Sequence, residues 1–153
     1  MQLNYSEETT GLAMPVNPTD PETMSVVQQF LEEQPSSWIG FWTLEELLQL
    51  IQNRYMFPVV IVEEGEPQGL LLYSIHKYSP FVTSAKLEFM TCKAVFKGSK
   101  WLPLLESFLK ANDITMVEAV AHPTLAHFLN QRHGYAAPSV YVVKTLIEDN
   151  ERN

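Results

Sequence analysis

The sequence is poor in cysteine, with Cys92 alone among 153 residues. That excludes an internal disulfide framework and any four-cysteine zinc site. It is also short of positive charge, with 10 Lys and Arg against 18 Asp and Glu, a net charge of -8. Such a balance disfavours a protein that grips nucleic acid through a basic face. Long apolar runs are missing as well. None reaches the roughly 18 residues that a membrane-spanning helix needs. The N-terminus has neither the basic nor the apolar stretch of a signal peptide, so it does not read as one. What is present is a hydrophobic content of 46%, enough to build a core, in a length that suits one domain. The expectation is a soluble α/β or α+β domain, cytoplasmic or carried in a particle.

The scarce cations are gathered in one place. Residues 1–72 hold Arg54 against eleven carboxylates, a net of -10. Residues 73–111 hold Lys77, Lys86, Lys93, Lys97, Lys100 and Lys110 against Glu88 and Glu106, a net of +4. A basic middle in an acidic chain can hold an anion such as a phosphate, or it can be a solvated strand and helix.

The pattern of residues gives an order of elements. Residues 1–18 are polar and broken by Pro15 and Pro18, and read as a loose N-terminal arm. Leu3 and Tyr5 at one end and Leu12 and Met14 at the other are anchors by which the arm would dock on a partner chain or an exposed sheet edge. Asp20 caps a first helix with Pro21 at its first position, and Val26, Val27, Phe30 and Leu31 share its inner face. Trp38, Ile39, Phe41 and Trp42 form an aromatic connection that reads as core. Thr43 and Glu46 have the spacing of a capping box at the start of a second helix that ends near Asn53. Then the period changes. The β-branched run 58–62 predicts a strand, residues 63–69 a turn of several residues, 70–75 a return strand, 81–84 a second turn and 86–92 a third strand. Ser99 opens a helix, residues 114–120 predict a fourth strand, and a last helix runs from His122 to a closing glycine, Gly134. Residues 140–146 predict a final strand. The resulting division is an arm at 1–18, a domain at 19–148 and a polar tail at 149–153. Val60, Leu87, Phe89, Leu105, Val117 and Leu129 are expected in one core.

From about residue 57 to 146 this order resembles the GNAT acetyltransferase superfamily. The hairpin of residues 60–69 is similar to that family's second and third strands. Leu87-Glu88-Phe89-Met90-Thr91 resembles the strand before the cofactor loop, and Leu104-Leu105-Glu106-Ser107-Phe108 the helix after it. Ala126-His127-Phe128-Leu129 with Gly134-Tyr135 resembles the last helix and its closing Gly-aromatic pair. Residues 123–146 further resemble GNAT-type proteins encoded among the particle genes of tailed bacteriophages. The resemblance implies a mixed, mostly antiparallel twisted sheet with helices on both faces, and acetyl-CoA as the cofactor if the protein is active.

The resemblance also places the chemistry. Met90, Thr91, Lys97, Gly98, Ser99 and Lys100 fall where the family holds the cofactor. Backbone N–H groups must point at the pyrophosphate there, with no side chain in the way. The family pattern is rich in glycine at that loop. Anchored on Leu104-Leu105, its glycine positions hold Lys97, Ser99 and Trp101; slipped by one residue, they hold Gly98, Lys100 and Leu102. Either way Gly98 is the one glycine of the loop. Lys97 and Lys100 can hold an anion by charge instead. The position of the family's acid tyrosine is Asn130, which has no titratable proton, and that of its strand-end asparagine is Pro123. Candidates for a general base are Glu88, Glu118 and His122. His122, His127 and His133 are five and six apart, a spacing that does not put two imidazoles on one helical face, so no metal site is expected. Two readings result. One is a degenerate GNAT-like protein that acts by binding or as a structural component, in a bacteriophage particle. The other is an active acetyl-CoA-dependent N-acyltransferase with an unusual cofactor loop.

Overall fold

The computed structural model describes residues 11–33, 42–93, 98–119, 127, 130, 131, 134–136 and 144. The chain divides into two compact units, Met1–Ala119 and Val120–Asn153. In the first unit the elements run β1 (Gly11–Pro15), α1 (Pro21–Glu32), α2 (Leu44–Gln52), β2 (Phe57–Glu63), β3 (Glu66–Ser79), β4 (Val82–Cys92), α3 (Gly98–Ala111) and β5 (Met116–Ala119). The strands form one sheet in the order β1-β2-β3-β4-β5. The first three pairings are antiparallel, and β4 with β5 is parallel. This is the expected α/β class with a mixed, mostly antiparallel sheet.

Local signals set the helix ends. Asp20 Oδ1 accepts the Glu22 N–H at 3.2 Å, and Pro21 begins α1. Thr43 and Glu46 close a full capping box. The Glu46 N–H donates to Thr43 Oγ1 at 3.0 Å, and the Thr43 N–H to Glu46 Oε1 at 2.8 Å. Together these satisfy N–H groups that a helix start otherwise leaves open. α1 and α2 lay Met24, Val27, Phe30, Leu31, Leu47 and Ile51 on the sheet face that carries Val60, Leu70, Leu72 and Phe89. Trp42 packs against this cluster, as a core residue should. α3 lies on the other face. Its Leu104 comes against Gly11, so close that a Cβ there would stand 2.9 Å from Leu104 Cδ1.

Four expectations are corrected. Residues 11–15 are not loose. They form an edge strand paired with β2 from Gly11↔Glu63 to Pro15↔Val59, and Val16 beyond them is buried. A proline is tolerated here because an edge strand has one side on which no N–H is needed for pairing, and proline has no N–H to offer. Residues 1–10 lie outside the described residues. The turn of 63–69 shrinks to Glu64-Gly65, both at positive φ, 54° and 77°, as a tight two-residue hairpin requires. The second turn is Pro80-Phe81 rather than 81–84, so β3 and β4 are longer than the apolar pattern suggests. The core is also not single. Val60 and Phe89 belong to the layer under α1 and α2, whereas Leu105 is buried on α3 and Leu87 faces the same way as Tyr73. Val117 is half-buried, and Leu129 lies outside the described residues.

In the second unit, His127, Asn130 and Gln131 are helical. Gly134 has φ +73°, the left-handed conformation expected of a glycine that closes a helix. Of the expected strand 140–146 only Lys144 is described, and it is not in a strand; the rest of that stretch and the tail 149–153 lie outside the described residues. No helix among the described residues is long and apolar enough to cross a membrane.

Candidate functional site

Two breaks in register shape the β3–β4 ladder. Leu72 pairs with Phe89 but Tyr73 with Leu87, so Glu88 is an extra residue bulged out of β4. Lys77 pairs with Thr83 but Ser79 with Val82, which makes Tyr78 a bulge on β3. A bulge adds twist and re-aims a side chain, and such devices gather beside functional sites. Here both bulges turn polar groups onto one face. On that face the apolar core ends at Leu72 and Phe89. The next positions are Ser74 opposite Lys86 and His76 opposite Ser84, with Glu118 of β5 beside Lys86.

Those side chains form a connected cluster. The Ser74 hydroxyl donates to Glu88 Oε1 at 3.0 Å and lies 2.9 Å from His76 Nε2. Lys86 Nζ is 3.9 Å from Glu88 Oε1. The Glu88 side chain is only 17% exposed, with the Ser74 hydroxyl and the Lys86 ammonium both on its Oε1 side. One strand over, the Ser84 hydroxyl donates to Glu118 Oε2 at 2.6 Å, and the Tyr78 hydroxyl donates to the same oxygen. Partial burial alone would raise the Glu118 carboxyl. The two hydrogen bonds, from Ser84 and Tyr78, and the charges of His76 and Lys86 outweigh it and hold the group below the usual carboxylate range. The Tyr78 phenol is pushed up by its hydrogen bond to Glu118. His76 and Tyr78 stack with ring centroids 6.3 Å apart.

Two of the three candidate bases, Glu88 and Glu118, therefore meet on one face. His122 lies outside the described residues. Ser74, His76, Tyr78 and Ser84 are not singled out by the sequence, and Lys86 only as one of six lysines in its basic middle. Their signal was present in the alternation of polar residues at 74, 76 and 78 and at 84, 86 and 88.

The cofactor candidates lie further along β4. Its pairing with β5 runs from Ser84↔Met116 to Leu87↔Ala119, and among the described residues β4 has no partner on that side from Glu88 onward. Met90 and Thr91 are half-buried on this stretch. Gly98, Ser99 and Lys100 form the first turn of α3, which carries no acidic residue. A helix start free of carboxylates suits a phosphate. Lys97 lies outside the described residues. The strand from Glu88 to Cys92 and the acid-free start of α3 fit an extended acyl-pantetheine arm ending in a pyrophosphate. Asn130 holds the carbonyl oxygen of Tyr135 through its Nδ2 at 2.7 Å, a link within the helix end. No group of three or more metal-ligating side chains occurs among the described residues.

No protein-family profile and no curated protein matches the chain. Its fold has many counterparts among solved structures. An aminoglycoside acetyltransferase from an uncultured soil metagenomic sample, in complex with sisomicin, is similar with a TM-score of 0.63 at 14% identity, over 93% of this chain and 100% of that one. A GNAT family acetyltransferase from Staphylococcus aureus gives 0.63 at 16% identity, over 90% of this chain and 100% of that one. A predicted acetyltransferase from Clostridium acetobutylicum, solved with acetyl-CoA, gives 0.57 at 13% identity, over 89% of this chain and 96% of that one. The fold is that of the GNAT acetyltransferases, as the sequence resemblance implied.

Proposed function

We propose that the protein is an acetyl-CoA-dependent N-acyltransferase in which Glu88 is the general base. The observation that carries this reading is the bulge at Glu88. It presents a mostly buried carboxylate one residue beyond the described pairing of β4 with β5. Acetyl-CoA would supply the acyl group as a thioester, with its arm along residues 88–92 and its pyrophosphate near Gly98, Ser99, Lys97 and Lys100. Glu88, held by Ser74 and Lys86, takes a proton from the acceptor ammonium and frees the nitrogen lone pair. Because Gly98 is the one glycine of the loop, the pyrophosphate is held by lysine charge more than by a backbone nest. Binding is therefore weak and falls with salt. The acceptor is a primary amine, consistent with a site that presents two carboxylates.

The loop favours a second reading. Lys97, Ser99 and Trp101 at glycine positions suit a protein that has lost acetyl transfer and serves as a binding or structural component, in the cytoplasm or in a bacteriophage particle. Release of free thiol from acetyl-CoA, measured with a panel of primary amines, separates the two. The first reading predicts turnover that falls by about 10²–10⁴-fold in Glu88→Gln. Turnover unchanged by that substitution removes Glu88 from the role. Absence of both turnover and acetyl-CoA binding in the wild type establishes the second reading.

A further inference from the structure

The hydrogen bonds around Glu88 continue outward. Ser74 lies between Glu88 Oε1, at 3.0 Å, and His76 Nε2, at 2.9 Å, while His76 is exposed and Glu88 is not. A hydroxyl accepts one proton while giving another, and an imidazole can take up and release a proton near neutral pH. The geometry points to a proton exit: we propose that Glu88 passes the proton it takes from the acceptor through Ser74 to His76, which releases it to solvent. This rests on the acyltransferase reading above.

The balance of the step is simple. A primary ammonium becomes an amide as the N–C bond forms and the C–S bond breaks. Of its two departing protons, one goes to the leaving sulfur and one to Glu88. The Glu88 O–H then donates to Ser74 Oγ as the Ser74 proton moves to His76 Nε2. The imidazolium sheds its Nδ1 proton to water. The chain is left with an ionised Glu88, a Ser74 hydroxyl donating to it, and an Nε2–H on His76. Exchange with solvent restores the other tautomer.

The groups facing His76 fit this task. On its own strand are Ser74 and the stacked ring of Tyr78. On β4 are Ser84, opposite it in register, and Lys86, paired with Glu88. On β5 is Glu118, which the His76 charge favours in its ionised form. Glu118 thus faces an imidazolium that forms in transit, and Lys86 opposes build-up of further positive charge, which speeds its release.

Ser74 and His76 act through Glu88, so they are positioning residues, and the test needs more than a rate. In the full-length protein, Ser74→Ala and His76→Ala should each lower kcat about tenfold with KM for the amine unchanged. Ser74→Thr, which keeps the hydroxyl, should restore the rate. Imidazole added to the buffer should rescue His76→Ala. Independently of activity, the Nε2 nitrogen resonance of His76 should move on Glu88→Gln and fail to move when the same substitution is made in a Ser74→Ala background. Wild-type rates in Ser74→Ala and His76→Ala, or no response to imidazole, overturn the relay while leaving the acyltransferase reading intact. A wild-type protein without turnover overturns that reading and the exit role with it. The resonance test then still decides whether Glu88 and His76 are linked through Ser74.

Discussion

Ser74 and Glu88, fourteen residues apart in sequence and on adjacent strands, are joined by a 3.0 Å hydrogen bond that exists because Glu88 is bulged out of its ladder. Without the bulge, residues 87–89 would alternate strictly and the register of β4 beyond it would slip by one. The side chains of Lys86 and Ser84 would then leave the face that carries Ser74 and His76. Deleting Glu88, by contrast, lets Phe89 follow Leu87 in the existing register, so Lys86 and Ser84 should stay opposite Ser74 and His76 with only the bulged carboxylate lost, whereas Glu88→Gln keeps the bulge and removes only the charge.

Glu118 gives a pH prediction. Its carboxyl is held below its ordinary value in the folded chain by Ser84 and Tyr78, against the opposing effect of burial. A depressed folded value contributes stability that is present above the unfolded value and lost as pH falls through the folded one. Ser84→Ala should thus cost roughly 0.5–1.5 kcal/mol near neutrality, the lower end being favoured by the solvent access of Glu118. The gap between variant and wild type should narrow under acid, below the usual carboxylate range. Urea unfolding at a series of pH values checks this, and a gap that is constant with pH contradicts it.

The α3 layer is tested by Leu105, which is fully buried. Leu105→Ala should destabilise by about 2–5 kcal/mol, read as a lower urea midpoint. Wild-type unfolding would mean that α3 does not pack on the sheet through this residue.

The first strand gives a third prediction. Residues 11–15 pair with β2, and Val16 is buried under the α1 layer. Slow amide exchange is expected in this segment of the isolated protein. Removing residues 2–16 should lower stability, since it uncovers the edge of β2 and takes Val16 from the core. Exchange as fast across 11–15 as in an unfolded peptide would contradict the strand.

Much of this fold was legible because its signals are local. Asp20 with Pro21, and Thr43 with Glu46, mark helix starts by chemistry that needs no tertiary context. What escaped depended on pairing. Residues 11–15 hold a glycine and a proline and lack a clear alternation. Only the open edge of β2 makes them a strand. Residues 63–69 are rich in turn formers, yet Pro67 and Gly69 already pair with Val62 and Ile61, with Gln68 bulged between them. The outer half of β3 was missed for a related reason. Neither Ser74, His76 and Tyr78 on one face nor Ile75 and Lys77 on the other makes an apolar stripe. The same stretch supplies most of the site, so Glu88 and Glu118 were visible as lone carboxylates while their partners were not.

The central claim is that acyl-CoA lies along β4 from Glu88 onward. Titrating acetyl-CoA into the full-length protein while recording backbone amide spectra tests it without knowledge of the acceptor. The account predicts shifts at residues 88–92 and at the start of α3, with a dissociation constant of about 0.1–1 mM, equivalent to about -5.5 to -4 kcal/mol, that weakens as salt is raised. No shifts up to several times that concentration, or shifts confined to residues elsewhere, would contradict it.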